Sequence, residues 1–419
     1  MNQASDATPA PAPPAPLDLP LLSLGMGAVL TAQFLSALAD NAVLIAAIAA
    51  AKNQGMPQLI PWLQGAFLVP FIALAPFSGP VADSYAKGRV MLAANLLKLA
   101  GACAMAVGAD SLASYALVGI GATMYSPAKY GILTQMFRPA LLVSANGLLE
   151  GSTIAAILLG VLLGGWLADV SLAWAFGGVI ACYALATGAN LLIPALPPEH
   201  PSAGYSPRLL VPRFLASLRL LFADPDARFS LLGTSIFWGS GATLRLVLFA
   251  WVPVALLRND NQTPATLMGV LSIGIVLGAA AAGAWVSLRK VDRALLGGLL
   301  LGPLVLAMAA MTSLPAASAV MALVGACGGF FVVPLNALLQ ERGHETIGAG
   351  SALAVQNFSE NLTMLLFDGA YTLAGSAQVP VSVTVSAFGL LLLLILSLLS
   401  WFRLRRKLPA SAARERRQG

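Results

Sequence analysis

Twelve apolar runs, each long enough to cross a bilayer, dominate this chain and leave it few folds to choose from. They lie near 21–51, 60–82, 90–109, 111–136, 142–168 and 172–195, then near 228–257, 264–288, 294–314, 316–339, 347–375 and 380–402. About 20 apolar residues span a bilayer as a helix. Hydrocarbon offers no partner to backbone N–H and C=O groups, so each segment must satisfy its own, as a helix does. Only 10% of the residues are charged, against roughly 25% in a soluble domain. The expectation is an all-α integral membrane protein of twelve transmembrane helices.

The runs divide six and six about a polar linker. The predicted segments are a disordered Pro/Ala-rich tail over 1–20, a six-helix bundle over 21–195, a linker over 196–227, a second bundle over 228–404 and a basic tail over 405–419. The linker sets Arg208, Arg213 and Arg219 among bulky apolar residues, which suits a helix lying on the membrane surface; a solvated connector is the alternative. The first Lys or Arg is Lys52, so no cleaved signal peptide is expected.

Three matches at one offset of about 206 residues mark the halves as pseudo-symmetric repeats. Leu117-Val118-Gly119 recurs as Leu323-Val324-Gly325, and the same offset carries Glu150 onto Gln356 and Asp40 next to Arg245. A repeated six-span half with polar residues near mid-membrane is transporter architecture. Basic residues give the orientation. Roughly 18 fall in loops and a tail on one side, whereas Lys52 and Arg258 fall on the other. The positive-inside rule makes the heavy side, with both termini, cytoplasmic.

The net charge of +6 is scattered over these loops, so no nucleic-acid surface is expected. Cys103, Cys182 and Cys327 lie far apart in apolar runs and read as small core residues, forming neither a disulfide framework nor a metal site. His200 and His344 fall in predicted loops. No cofactor is expected, and no nucleophile constellation or phosphate-cradling loop points to an enzyme.

Charges inside the spans carry the functional reading, because a carboxylate in hydrocarbon is rarely there without a use. Asp40 is the only ionisable residue between Leu21 and Ala51. Gln33, Ser36 and Asp40 share one helical stripe, and Asn41 follows. Arg245 lies at a similar depth in span seven. Gln356, Asn357, Glu360 and Asn361 form one polar face of span eleven. Lys129 and Glu150 stand at nearly equal depth about the Arg138-Pro139 turn and are expected to pair. Lys98 is expected to snorkel to the cytoplasmic face, Asn336 to be a helix-packing amide, and Asp368 to be solvated at the outer end of its span.

Gly79-Pro-Val-Ala-Asp83-Ser-Tyr-Ala-Lys87-Gly88-Arg89 resembles the loop signature of the major facilitator superfamily, with Ser84 where arginine is usual. In the second half Ser287 stands where the aspartate would be, so a gating lock is expected mainly in the first half, with Asp83, Lys87, Arg89 and Glu150 as its gating residues. Within that superfamily the chain resembles the bacterial lysophospholipid transporters. The likeness is carried by Ala32-Gln33-Phe34-Leu35-Ser36-Ala37 with Asp40-Asn41, Ser126-Pro-Ala-Lys129-Tyr130-Gly131, Ala145-Asn146-Gly147, Phe330 to Asn336 with Gln340-Glu-Arg342-Gly343, and Ala354-Val-Gln356-Asn357 with Glu360-Asn361. The resemblance implies a multi-pass protein of the bacterial inner membrane that flips lysophospholipids from the outer to the inner leaflet by alternating access. It also implies an acyltransferase partner that re-acylates them; a monomer is expected. Spans one and seven would face each other across a cavity. Arg245 would then take the phosphate, Asp40 with Glu360 the amine, and Asn41, Gln33, Gln356, Asn357 and Lys129 would complete the substrate-binding set. A permanent Asp40–Arg245 salt bridge is the structural alternative. A proton-coupled multidrug exporter protonated at Asp40 or Glu360 is the functional one.

Overall fold

The computed structural model describes residues 16–56, 59–199, 207–258 and 262–405, and its regular elements are all helices. The first half contains α1 (Leu24–Asn53), α2 (Ile60–Ala73), α3 (Ala75–Ser84), α4 (Lys87–Ala106), α5 (Ser111–Met136), α6 (Pro139–Val170) and α7 (Leu172–Asn190). The linker helix α8 (Pro207–Ala223) leads into α9 (Pro225–Ala255), α10 (Gln262–Trp285), α11 (Ala294–Ala309), α12 (Leu314–Thr346), α13 (Ala349–Ser376) and α14 (Val381–Arg405).

Nine helical stretches among the described residues are long and apolar enough to cross a membrane, and the bent pair α2–α3 acts as a tenth. The two arms of that pair meet at 66°. Pro70, Pro76 and Pro80 each lack an amide hydrogen, which breaks the helix where a straight span is expected from hydropathy. α5 and α13, 26 and 28 residues long, occupy the remaining two places of the predicted twelve. They fall short on hydropathy because they carry Ser126, Lys129, Tyr130, Gln356, Asn357, Glu360 and Asn361. Of those polar residues, Ser126 and Asn357 bond to each other across the two halves.

The sequence repeat has a physical basis. A Cβ on Gly119 of α5 would lie 2.8 Å from the Phe67 carbonyl oxygen of α2, and one on Gly325 of α12 would lie 2.1 Å from the Leu271 carbonyl oxygen of α10. Each half thus uses the repeated glycine to bring two backbones together where no side chain fits.

Each half has its own apolar core. A third cluster runs between them, joining Met26, Ile132, Met136, Leu142 and Leu149 of the first half to Phe237, Ala282, Val286, Val332 and Ala337 of the second. Most of these residues lie near the helix ends that carry the basic loops, so the halves are pressed together at that basic end. α8 caps the same end. It buries Leu210, Phe214 and Leu221 and contacts α3, α9 and α13. Of the predicted N-terminal tail, residues 16–20 are described, and the Leu17 and Leu19 amides donate to the Gln135 and Met136 carbonyls at 2.9 and 3.0 Å.

Candidate functional site

Asp40 does not face Arg245. Lys98, eleven residues into α4 and 1% exposed, donates to Asp40 Oδ2 at 2.7 Å and to Ser36 Oγ at 3.0 Å. Tyr183 Oη donates to Asp40 Oδ1 at 2.7 Å, and Ser36 Oγ to Asn95 Oδ1 at 2.7 Å. Both Asp40 oxygens are thus held within the first half, so the alternative of a permanent Asp40–Arg245 salt bridge is not what forms. The expected snorkelling of Lys98 is corrected with it. The lysine stem lies flat between α4 and α5 because residue 121 is glycine: a Cβ there would come within 2.6 Å of Lys98 Cγ. Gln33 is fully buried, bonded to Thr153 Oγ1 and to the Leu149 carbonyl at 3.4 Å. It joins α1 to α6 and does not line the cavity.

That cavity, of about 290 Å³, lies between the halves. Asn41, Ile154 and Ile157 line it from the first half, and Trp238, Ser240 and Arg245 from α9. Its walls continue into the second bundle along Leu271, Leu301, Val305, Phe388 and Leu392, so one end is polar and the other is hydrocarbon. Arg245 is exposed, and among the described residues it has no ion pair and is the only charged group lining the cavity.

On the basic side of the cavity a chain of polar side chains crosses between the halves. Tyr130 Oη and Asn336 Nδ2 donate to Glu150 Oε1 at 2.6 and 2.7 Å. Gln356 Nε2 donates to Asn336 Oδ1 at 2.6 Å and to Glu360 Oε1 at 2.7 Å. Two carboxylates from different halves are therefore joined through two amides. Asn336, expected to be a packing amide, is the bridge. Lys129 makes no salt bridge with Glu150; its ammonium sits 4.6 Å from the centre of the Tyr130 ring, within electrostatic reach of Glu150 and Glu360. The expected Lys129–Glu150 pair is replaced by Tyr130, whose hydroxyl takes the Glu150 oxygen. Asn357 exchanges hydrogen bonds with Ser126 across the halves at 3.0 and 3.3 Å. Asp368 accepts from Thr243 Oγ1 at 2.8 Å and is not simply solvated.

Nearer the basic end, Asn146 and Gln340, both fully buried, exchange bonds at 2.8 and 2.7 Å. Ser144 Oγ donates to the Gly283 carbonyl at 2.7 Å. At the end itself Asp83 caps α13: its oxygens accept from the Gly350 and Ser351 amides, each at 2.8 Å, and from Ser351 Oγ at 2.6 Å. A carboxylate suits a helix N-terminus, where unpaired N–H groups and the helix dipole favour negative charge. The approach needs glycine at 348 and 350, where a Cβ would lie 2.4 and 2.6 Å from the Asp83 oxygens. Gly348 also has φ +94.

Lys87, fully buried, lies 3.3 Å from Asp83 and 2.8 Å from Glu199. Glu199, in the segment after α7, also holds His344 Nδ1 at 2.6 Å and accepts from the Ala349 amide at 3.1 Å. His344 lies in the last turn of α12 and not in a loop; His200 lies outside the described residues. Arg89 is exposed and stands apart from this lock. The second half fastens its own helices at this end: Asp226 holds Arg342 at 2.5 Å and also Arg403, which meets Asp292 at 2.9 Å. No group of three or more potential metal ligands occurs among the described residues.

The arrangement is an amphipathic cavity with one cation, shut off from the basic end by layers of inter-half hydrogen bonds. Residues 29–367 match the sequence model of the Major Facilitator Superfamily. The chain is 52% identical over 358 residues to the lysophospholipid transporter LplT of Serratia proteamaculans, covering 85% of this chain and 90% of that one. It is 51% identical over 365 residues to LplT of Yersinia pestis, covering 87% and 90%. In three dimensions it resembles the E. coli fucose:proton symporter FucP with a TM-score of 0.72 at 14% identity, covering 90% of this chain and 98% of that one.

Proposed function

This chain belongs to the Major Facilitator Superfamily, in the lineage of its lysophospholipid transporters, and we propose that it moves lysophospholipids between leaflets by alternating access. It is a transporter and not an enzyme, so its task is to lower the cost of carrying a polar headgroup through hydrocarbon. The acyl chain passes between equally apolar surroundings and supplies selectivity more than driving force. The observation that carries this reading is the cavity, with Arg245 at one end and an apolar recess at the other. The guanidinium offers a planar fork to a phosphate, Asn41 lines the same cavity, and the wall that includes Val305 and Leu392 offers the acyl chain an apolar surface. The ammonium of an ethanolamine headgroup would be shared by Glu360 and by Asp40, whose side chain keeps 17% exposure while Lys98 holds it.

The positive-inside argument makes the basic end cytoplasmic in a bacterial inner membrane. The conformation is then one closed to the cytoplasm, ready to receive substrate from the outer leaflet. Return requires the Asp83 cap, the Asn146–Gln340 exchange and the Glu150–Asn336 bond to part. Product would leave on the inner side to a re-acylating partner, with the protein acting as a monomer. The proton-coupled exporter is not favoured by these relatives.

The direct test is uptake into proteoliposomes of matched lyso- and diacyl-phosphatidylethanolamine. The monoacyl lipid should be carried at least about tenfold faster, since a second chain has no recess to enter. Equal rates would sink the proposal. The lock gives a second expectation. Gly350→Ala places a methyl group against Asp83, so a cysteine at position 357 should be labelled faster from the basic side than in the unmutated background. Unchanged labelling would remove Asp83 from the gate.

A further inference from the structure

Glu199 is the buried side chain that sequence patterning gives least reason to notice, for it sits outside every helix in the segment joining the two halves. Its carboxylate nevertheless stands where three elements meet: Lys87 of α4, His344 of α12 and the first amide of α13. We propose that Glu199 and His344 form a proton-sensitive latch on the closed basic end, so that a proton on His344 holds the cytoplasmic side shut.

Burial alone would push the Glu199 carboxyl up, but its hydrogen bonds to His344 and Lys87 and their charges outweigh that and hold it down at about 2. An acid depressed in the closed state stabilises that state above its ordinary value of ~4.3, and the stabilisation is lost only as pH falls through about 2. Glu199 therefore stays ionised at every physiological pH, which leaves His344 as the titrating partner. Three charged groups act on the imidazole: Glu199 from the linker, Lys87 from α4 and Glu341 from its own helix. Of the three, Glu199 is the one hydrogen-bonded to it. With Glu199 in reach the imidazole binds a proton more tightly than with the halves apart, so by linkage acid favours the closed state and opening releases a proton. Neutral His344 can still donate one hydrogen bond to Glu199, which makes the latch graded.

This rests on reading the basic end as the gate, and the two ideas fail differently. Spin labels on cysteines at positions 89 and 289, both exposed and in opposite halves, report separation there once the three native cysteines are replaced. In the presence of lysophosphatidylethanolamine the separated fraction should rise about fivefold between about pH 6 and pH 8. His344→Gln should be independent of pH, His344→Lys should stay closed at both values, and Glu199→Gln should be more open at both. Labels that separate with the same pH dependence in wild type and His344→Gln would overturn the latch while leaving the gate. The same holds for labels that separate without pH dependence in wild type. Labels that never separate under any condition would overturn both.

Discussion

Asp40→Asn is expected to weaken the fold of this transporter as well as its activity, because it strands the Lys98 ammonium. Lys98 is 1% exposed, and its ionic partner is Asp40. Breaking a buried pair by removing one member costs about 3–5 kcal/mol, whereas replacing both by apolar or neutral groups of similar size is often nearly neutral. Thermal stability in detergent should therefore drop for Asp40→Asn and for Lys98→Met. It should return close to wild type in the double variant. Uptake of lysophosphatidylethanolamine is the separate readout. If Asp40 also receives the substrate's ammonium, the double variant stays below about a tenth of wild-type uptake despite its recovered fold. Recovery of both together would assign the acid to the fold alone.

This pair also marks where reading the sequence reached its limit. Hydropathy and the side of each basic loop place a residue at a depth along its span, and Asp40 and Arg245 were expected at similar depths. They do not give the rotation of the span about its axis. Asp40 is separated from Lys98 by two helices in sequence, and their meeting depends on Gly121 letting the lysine stem lie flat. The spacing of Ser36 with Asp40 and of Asn95 with Lys98 was the available signal, one polar stripe on each helix. Lys129 and Glu150 repeat the lesson: equal depth was right, and a neighbouring tyrosine hydroxyl took the bond. Motifs that supported only a family likeness turned out to be the seam itself, as with Asn146 and Gln340. Glu199 was silent because an acid in a polar linker looks solvated; only the closure of two halves around it buries it. α5 and α13 were legible as spans from the length of their runs, despite the polar residues they carry.

Arg245→Ala should have the opposite profile to Asp40→Asn, with stability preserved and transport lost. Its side chain is exposed and has no ion pair among the described residues, so truncation strands no buried charge. A hydrogen bond to a charged group contributes about 1.5–3 kcal/mol, which predicts a fall in uptake of roughly tenfold to a hundredfold. Arg245→Lys keeps the charge but loses the planar fork, and should fall between the two. The headgroup makes the test sharper. Phosphate is common to ethanolamine and glycerol lysolipids, so Arg245→Ala should impair both to a similar extent. Glu360→Gln removes a partner that only the ammonium needs, so it should slow the ethanolamine lipid more than the glycerol one. A loss confined to one headgroup for Arg245→Ala, or an equal loss of both for Glu360→Gln, would reverse the assigned orientation of the lipid. If Arg245→Ala transports both lipids normally, the cation serves some purpose other than phosphate, and the polar end of the cavity must be assigned anew.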